Sequence, residues 1–137
     1  MVRIILGVIV GFVGWMLIWF IGEQALAAAL PEAFGVHQAA FEEAVINGGS
    51  FTPDTLHLVL HISLASVVSL IAGFTAALIA GENKRAPMVL GVLLVAVGLL
   101  KAAMSWQYIP LWCHITFTCL LLAMTIIGGN LRKTNRH

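Results

Sequence analysis

Long apolar segments separated by short polar ones dominate the pattern of this chain. The longest apolar segment runs from Leu56 to Ala80 and contains no Lys, Arg, Asp or Glu. A helix needs about 20 apolar residues to cross a hydrocarbon core of roughly 30 Å. Three other segments have the same character, so the pattern predicts four membrane-spanning helices. We place these spans at residues 4–21, 54–80, 87–104 and 110–128.

The polar segments between the spans predict the loops. Residues 22–53 form the longest of them, an acidic loop that contains Pro31 and the turn-forming residues 47–50. Within it, the stretch from His37 to Ile46 has a helical period and predicts a short helix lying in the membrane interface. Its expected apolar side holds Ala40, Phe41, Ala44 and Val45, and its expected polar side holds Gln38, Glu42 and Glu43. Residues 130–137 form a short tail.

Small residues recur at helical spacing in the first two spans. Gly7 and Gly11 are four apart, as are Ser69, Gly73 and Ala77. In lipid, helices associate through close packing, and small side chains let two backbones approach each other. We therefore predict that these five residues form the main helix-packing surfaces of the bundle.

Composition agrees with this interpretation. The chain has 137 residues, of which 61% are hydrophobic and 9% are charged, and its mean hydropathy is +1.01. These values are typical of an integral membrane protein and exclude an ordinary soluble domain. The predicted fold class is all-α, a single transmembrane four-helix bundle over residues 1–137. Because the basic residues form no patch, no nucleic-acid partner is expected.

The distribution of basic residues predicts the orientation. Cytoplasmic loops carry an excess of Lys and Arg, and four spans with a cytoplasmic N-terminus leave Lys101 as the one basic residue on the outer side. The residues placed inside are Arg3, Lys84, Arg85, Arg132, Lys133 and Arg136. The sequence thus predicts a multi-pass protein of the inner (plasma) membrane with both termini in the cytoplasm and residues 22–53 outside.

The first span also has an alternative interpretation. A short basic start, an apolar core and the small residues Ala27 to Ala29 resemble a secretory signal peptide with its cleavage site. The apolar run is longer than signal peptides normally carry, so we favour a permanent membrane span.

Five ionisable residues gather at the predicted outer ends of the spans. The cofactor-binding candidates are His57, His61 and His114, and Glu23 and Lys101 complete a polar cluster. Ionisable groups at membrane depth usually face the bundle interior and pair or line a site. A functional hypothesis makes them a proton, metal or haem site. In the structural hypothesis, which we favour, Lys101 extends outward to pair with Glu23, and the histidines bond to backbone or water.

Cofactor and catalytic motifs are weak. His61 and His114 could be axial ligands of a haem, and His57, His61 and Glu23 could hold a transition metal. However, His57 and His61 lie on one helix and cannot bind both faces of a haem. The spacing of Cys113 and Cys119 prevents a bridge between them. Because the sequence shows no partnered nucleophile and no phosphate-binding loop, we expect no cofactor and lean against an enzyme.

The layout resembles small bacterial inner-membrane proteins of four spans, a group that implies no activity. The features that carry the resemblance are Glu23 at the end of a Gly-rich span, a Pro-containing outer loop, and the segments 73–77, 110–112 and 128–129. We expect a non-enzymatic accessory or assembly subunit of a larger membrane complex, associating with other membrane subunits or with itself. The alternative is a small oligomeric transporter or a haem- or metal-binding membrane protein that uses the outer polar cluster.

Overall fold

The computed structural model describes residues 1–132, so Lys133 and Arg136 of the predicted tail lie outside the described residues. The described residues are helical with no strand, which confirms the predicted all-α membrane bundle. The helices are α1 (Val2–Ala29), a π-helical turn (Pro31–Gly35), α2 (Val36–Asn47), α3 (Thr55–Ala80), α4 (Arg85–Met104) and α5 (Leu111–Asn130).

Four of these helices, α1, α3, α4 and α5, are long and apolar enough to cross a membrane. The chain is therefore a multi-pass membrane protein. Helix α3 packs mainly against α1 and α5, and α4 packs against α5. Burial inside the protein reaches 39% of the apolar window of α3 but 17% of that of α1. Hence α3 is the centre of the bundle and α1 lies at its edge.

Helix α1 is longer than the predicted span 4–21. It continues through Glu23 to Ala29 because residues 22–29 are rich in Ala, Leu, Glu and Gln, which favour helix. The helix stops at Leu30, whose φ of −128° and ψ of 65° are not helical. This residue precedes Pro31, and proline disfavours the helical conformation in the residue before it. Glu23 therefore lies inside a helix, not at its end.

Close backbone contacts join the helices at glycines. A Cβ placed on Gly7 would lie 2.6 Å from the carbonyl oxygen of Ala76. A Cβ on Gly73 would overlap the carbonyl oxygen of Thr125, and one on Gly128 would overlap that of Leu70. The α3–α5 contact is therefore reciprocal, since each helix offers a glycine to the other's backbone. Of the other predicted packing residues, Gly11 lies against Ala72, Ala76 and Leu90, and Ser69 and Ala77 are fully buried.

Capping fixes the turn between α3 and α4. Gly81 ends α3 with a φ of 76°, a conformation that glycine adopts without strain. The Glu82 carboxylate then accepts hydrogen bonds from the backbone N–H groups of Lys84, Arg85 and Ala86 at 2.9, 2.8 and 2.6 Å. Although partial burial acts to raise the pKa of Glu82, these three donors outweigh it and lower the pKa.

We expect Glu82→Ala to lower the free energy of unfolding by about 1 kcal/mol, because it removes the cap at the start of α4. The pKa of Glu82 is lower in the folded than in the unfolded protein. Its contribution to stability is therefore complete above the unfolded pKa and disappears as the pH falls through the folded pKa. Unfolding by SDS titration in mixed micelles at pH 7 and at pH 3 measures this effect. The variant should differ from the wild type at pH 7 and match it more closely at pH 3, and an unchanged difference would refute the capping role.

Candidate functional site: a polar triad beside a lateral cleft

One end of the bundle brings together the C-termini of α1 and α4 with the N-termini of α3 and α5. Helix α2 and the π-helical turn cover this end, which we call the α2 end. Glu23 and His61 each lie six residues inside their helix ends, and Lys101 lies three inside. At 1.5 Å per residue, these positions are about 5 to 9 Å inside the helix ends. The three side chains thus lie at one level of the bundle.

Lys101 is the centre of this group. Its Nζ is 2.7 Å from Nε2 of His61, and it lies 5.0 Å from the ring centroid of Trp19 and 5.1 Å from that of Phe117. An ammonium group can only donate, so Nε2 of His61 accepts. The two aromatic faces supply favourable cation–π contacts. Lys101 is thereby held by one hydrogen bond and two rings.

The tautomer of His61 links Lys101 to Glu23. Because Nε2 accepts from Lys101, the ring proton of neutral His61 is on Nδ1, an assignment that follows from the hydrogen-bond geometry. This Nδ1 lies 3.8 Å from Oε1 of Glu23, beyond hydrogen-bond distance, and has no hydrogen-bond partner among the described residues. Glu23, His61 and Lys101, which we call the polar triad, therefore connect α1, α3 and α4. The predicted pairing of Lys101 with Glu23 is wrong, since the described residues show no ion pair between them; His61 lies between the two.

His57 has a different partner. Its Nε2 is 3.0 Å from Oε1 of Gln38, and both side chains are buried. The prediction that Gln38 lies on the polar side of its helix is wrong: Gln38 shares the buried face of α2 with Phe41 and Ala44. The reason is that His57 needs a polar partner in a position that water does not reach. This hydrogen bond fixes α2 to the start of α3.

His114 stands apart from the polar triad. Its ring stacks on that of Trp106, with centroids 5.6 Å apart and parallel planes. It lines a small cavity of about 30 Å³ together with His57, His61 and Lys101. A volume of this size holds one or two water molecules, and a porphyrin is far larger. The three predicted cofactor-binding histidines therefore meet around a water-sized space.

Lys101 also lines a larger cleft. Its volume is about 280 Å³. Helix α1 contributes Trp15, Trp19 and Glu23, α4 contributes Val97, Gly98 and Lys101, α5 contributes Phe117 and Leu121, and α2 contributes Gln38 and Phe41. None of these lining residues comes from α3, so the cleft lies toward the side of the bundle formed by α1 and α4. We call it the lateral cleft.

Sequence reasoning missed the aromatic and amide members of this site. Trp15, Trp19 and Glu23 are spaced by four residues, so they share one face of α1, and this spacing was the available signal. Trp15 is buried and its Nε1–H donates to Oγ of Ser69 at 3.1 Å, while its ring stacks on Trp19 at 5.4 Å. No sequence signal singled out Gln38 or Phe117.

No group of three or more His, Cys, Asp or Glu side chains within residues 1–132 could hold a metal ion. The fold and the site together define a multi-pass α-helical membrane protein with a buried polar triad and an adjacent lateral cleft. Comparison with protein-family models, with curated proteins and with solved structures gave no match to this chain.

Proposed function

We propose that this protein is a non-enzymatic accessory or assembly subunit of a larger complex in a bacterial inner membrane, with both termini in the cytoplasm. The observation that carries the proposal is the exposure of α1. Gly7, Gly11 and Trp15 are the buried residues of this 28-residue helix, and large apolar side chains cover its outer surface, among them Leu17 at 58% and Phe20 at 61% exposure. A peripheral helix of this kind can pack on a partner without disturbing the fold.

The polar triad supports a structural role at the same time. Its members bond or approach one another across three helices. Ionisable groups that face one another inside a bundle restrict the arrangement of its helices. The proposed orientation is supported by the distribution of basic residues, since Arg3, Lys84 and Arg85 lie at the end of the bundle opposite the α2 end.

Purification in a gentle detergent tests this proposal. We expect a colourless, metal-free particle that contains another membrane protein at fixed stoichiometry, detected by absorption spectroscopy, metal analysis and native mass spectrometry. A photo-crosslinking residue at Leu17 should join the partner, while one at Leu100, 64% exposed on α4, serves as the matched control. A Soret band, a stoichiometric metal or a bare homo-oligomer would contradict the accessory role.

A second candidate is a small oligomeric transporter or cofactor-binding protein that uses the polar triad. The observation that favours it is the lateral cleft of about 280 Å³, which places Glu23 and Lys101 in one lining. A bare homo-oligomer that moves a solute across liposomes, and loses that activity in Glu23→Gln, would support this function over the first.

A further inference from the structure

We propose that the lateral cleft binds the headgroup of a phospholipid of the phosphatidylethanolamine type, with the phosphate on Lys101 and the ammonium on Glu23. This inference goes beyond the accessory role and does not depend on it. It rests on the shape of the cleft, on the charges in its lining and on its depth.

The cleft has the shape and polarity of an amphiphile site. Along α1 it extends from Trp15 to Glu23, about 12 Å at the helical rise. Its wall and floor are aromatic and aliphatic, with Trp15 and Leu121 farthest from the α2 end and Phe117 at the level of Lys101. Glu23 and Lys101 lie toward that end. A ligand that fits must therefore carry its polar part at one end and an apolar part next to it.

The volume fits a headgroup and not a whole lipid. Pockets that enclose drug-sized ligands have volumes of about 300 to 1,000 Å³, and the 280 Å³ of this cleft is just below that range. We infer an opening of the cleft between α1 and α4, through which the acyl chains leave it and lie along the apolar outer surfaces of these helices. Leu17 and Leu100 belong to those surfaces.

The charges of the lining favour a zwitterion. Among the described residues of the cleft, Glu23 supplies one carboxylate and Lys101 one ammonium. The ammonium has three N–H donors and gives one to His61, so two remain for an anionic oxygen. The Glu23 carboxylate, 3.8 Å from His61, keeps acceptor capacity for a cationic donor. A phosphate with a primary ammonium on a short linker complements both groups, whereas an anionic lipid would be repelled by Glu23.

The depth of the site agrees with a headgroup. The polar triad lies about 5 to 9 Å inside the helix ends, the level at which the polar headgroup region meets the hydrocarbon core. Trp15 and Trp19, whose rings are amphipathic, are also suited to that level. A partner helix is a poorer occupant, because a groove of about 12 Å with two charges at one end matches less than half the length of a spanning helix.

Native mass spectrometry of the detergent-purified protein tests the proposal. The protein is mixed with equal concentrations of phosphatidylethanolamine, phosphatidylcholine, phosphatidylglycerol or diacylglycerol with identical chains, and in a separate arm with water-soluble glycerophosphoethanolamine. We expect one phosphatidylethanolamine per chain, retained about tenfold more than phosphatidylglycerol, because both lipids offer a phosphate to Lys101 but only the first offers an ammonium that can form a charge-assisted hydrogen bond with Glu23. The soluble headgroup should not bind detectably.

Glu23→Gln identifies the ammonium site. We expect it to lower the ratio of bound phosphatidylethanolamine to bound phosphatidylglycerol to about one, because the variant loses both the attraction for the amine and the repulsion of the anion. The matched control is Glu43→Gln, which changes an exposed carboxylate of α2 outside the cleft and should keep the wild-type ratio. If Glu23→Gln does not fold, the comparison of lipids on the wild-type protein tests the proposal without the variant.

The remaining outcomes would overturn the proposal. Equal retention of diacylglycerol would show that the cleft binds the apolar part of the lipid and does not recognise the headgroup. Equal retention of phosphatidylglycerol would show that Glu23 does not recognise the lipid ammonium. Binding of glycerophosphoethanolamine as strong as that of the lipid would assign the site to a soluble ligand, and occupation by a protein segment would make the cleft a subunit contact.

Discussion

Gly73→Ala is expected to lower the free energy of unfolding by about 3 kcal/mol or more, or to leave no folded protein. The added Cβ overlaps the carbonyl oxygen of Thr125, and its next nearest atoms belong to the same backbone. Backbone cannot rotate away as a side chain can, so α3 and α5 must move apart. That movement would open the contact between Gly128 and Leu70 as well. Reversible unfolding in SDS, followed by circular dichroism, measures the loss.

The chain provides a matched control for this substitution in Gly14. A Cβ there meets no atom within 4 Å, and alanine is the better helix former by about 1 kcal/mol. Gly14→Ala should therefore be neutral or slightly stabilising, and Gly128→Ala should be as damaging as Gly73→Ala. Similar stabilities for the Gly14 and Gly73 variants would show that the α3–α5 contact is not the close one described.

Lys101→Met is expected to lower the free energy of unfolding by about 3 kcal/mol, with methionine keeping the apolar contacts to Trp19 and Phe117. The change removes the positive charge opposite Glu23 and leaves Nε2 of His61 without its donor. A buried charge that loses its partner is strongly destabilising, typically by about 3 to 5 kcal/mol. The same SDS titration measures it, and Lys84→Met, at an exposed lysine of the α3–α4 turn, should change stability by less than about 0.5 kcal/mol.

The double variant Glu23→Gln with Lys101→Met separates charge pairing from packing. If the polar triad acts as one network, removing both charges should destabilise less than the sum of the single changes, with a coupling of about 2 kcal/mol. Strictly additive effects would mean that Glu23 and Lys101 act independently, and the link through His61 would then be absent.

The helices could be predicted from the sequence because local sequence signals specify where each one lies and where it ends. The apolar runs, Pro31 after α1, and Gly48 and Gly81 at the ends of α2 and α3 are visible without any partner. The end of α1 was misplaced because Glu23 looks like a boundary residue. A single charge does not end a helix in which Ala, Leu and Gln follow, and in the folded protein that charge has His61 beside it.

The site was predicted in part for a similar reason. The level at which Glu23, His57, His61 and Lys101 gather follows from topology alone. The hydrogen-bond partners of these residues do not follow from topology, because a contact such as that between His57 and Gln38 depends on which face α2 turns toward the bundle. The division of the histidines into separate environments, with His114 against Trp106, depends likewise on side-chain packing between helices that the pattern of one helix does not encode.

The reciprocal glycine contact bears on how the chain is made. Helices α3 and α5 are separated in sequence by α4, so their contact cannot form until the ribosome has delivered the last span to the bilayer. The contact between Gly7 and Ala76 is complete as soon as α3 has been inserted. A chain interrupted after α4 would therefore hold α1 packed on α3 while the surface of α3 around Gly73 stays uncovered until α5 arrives.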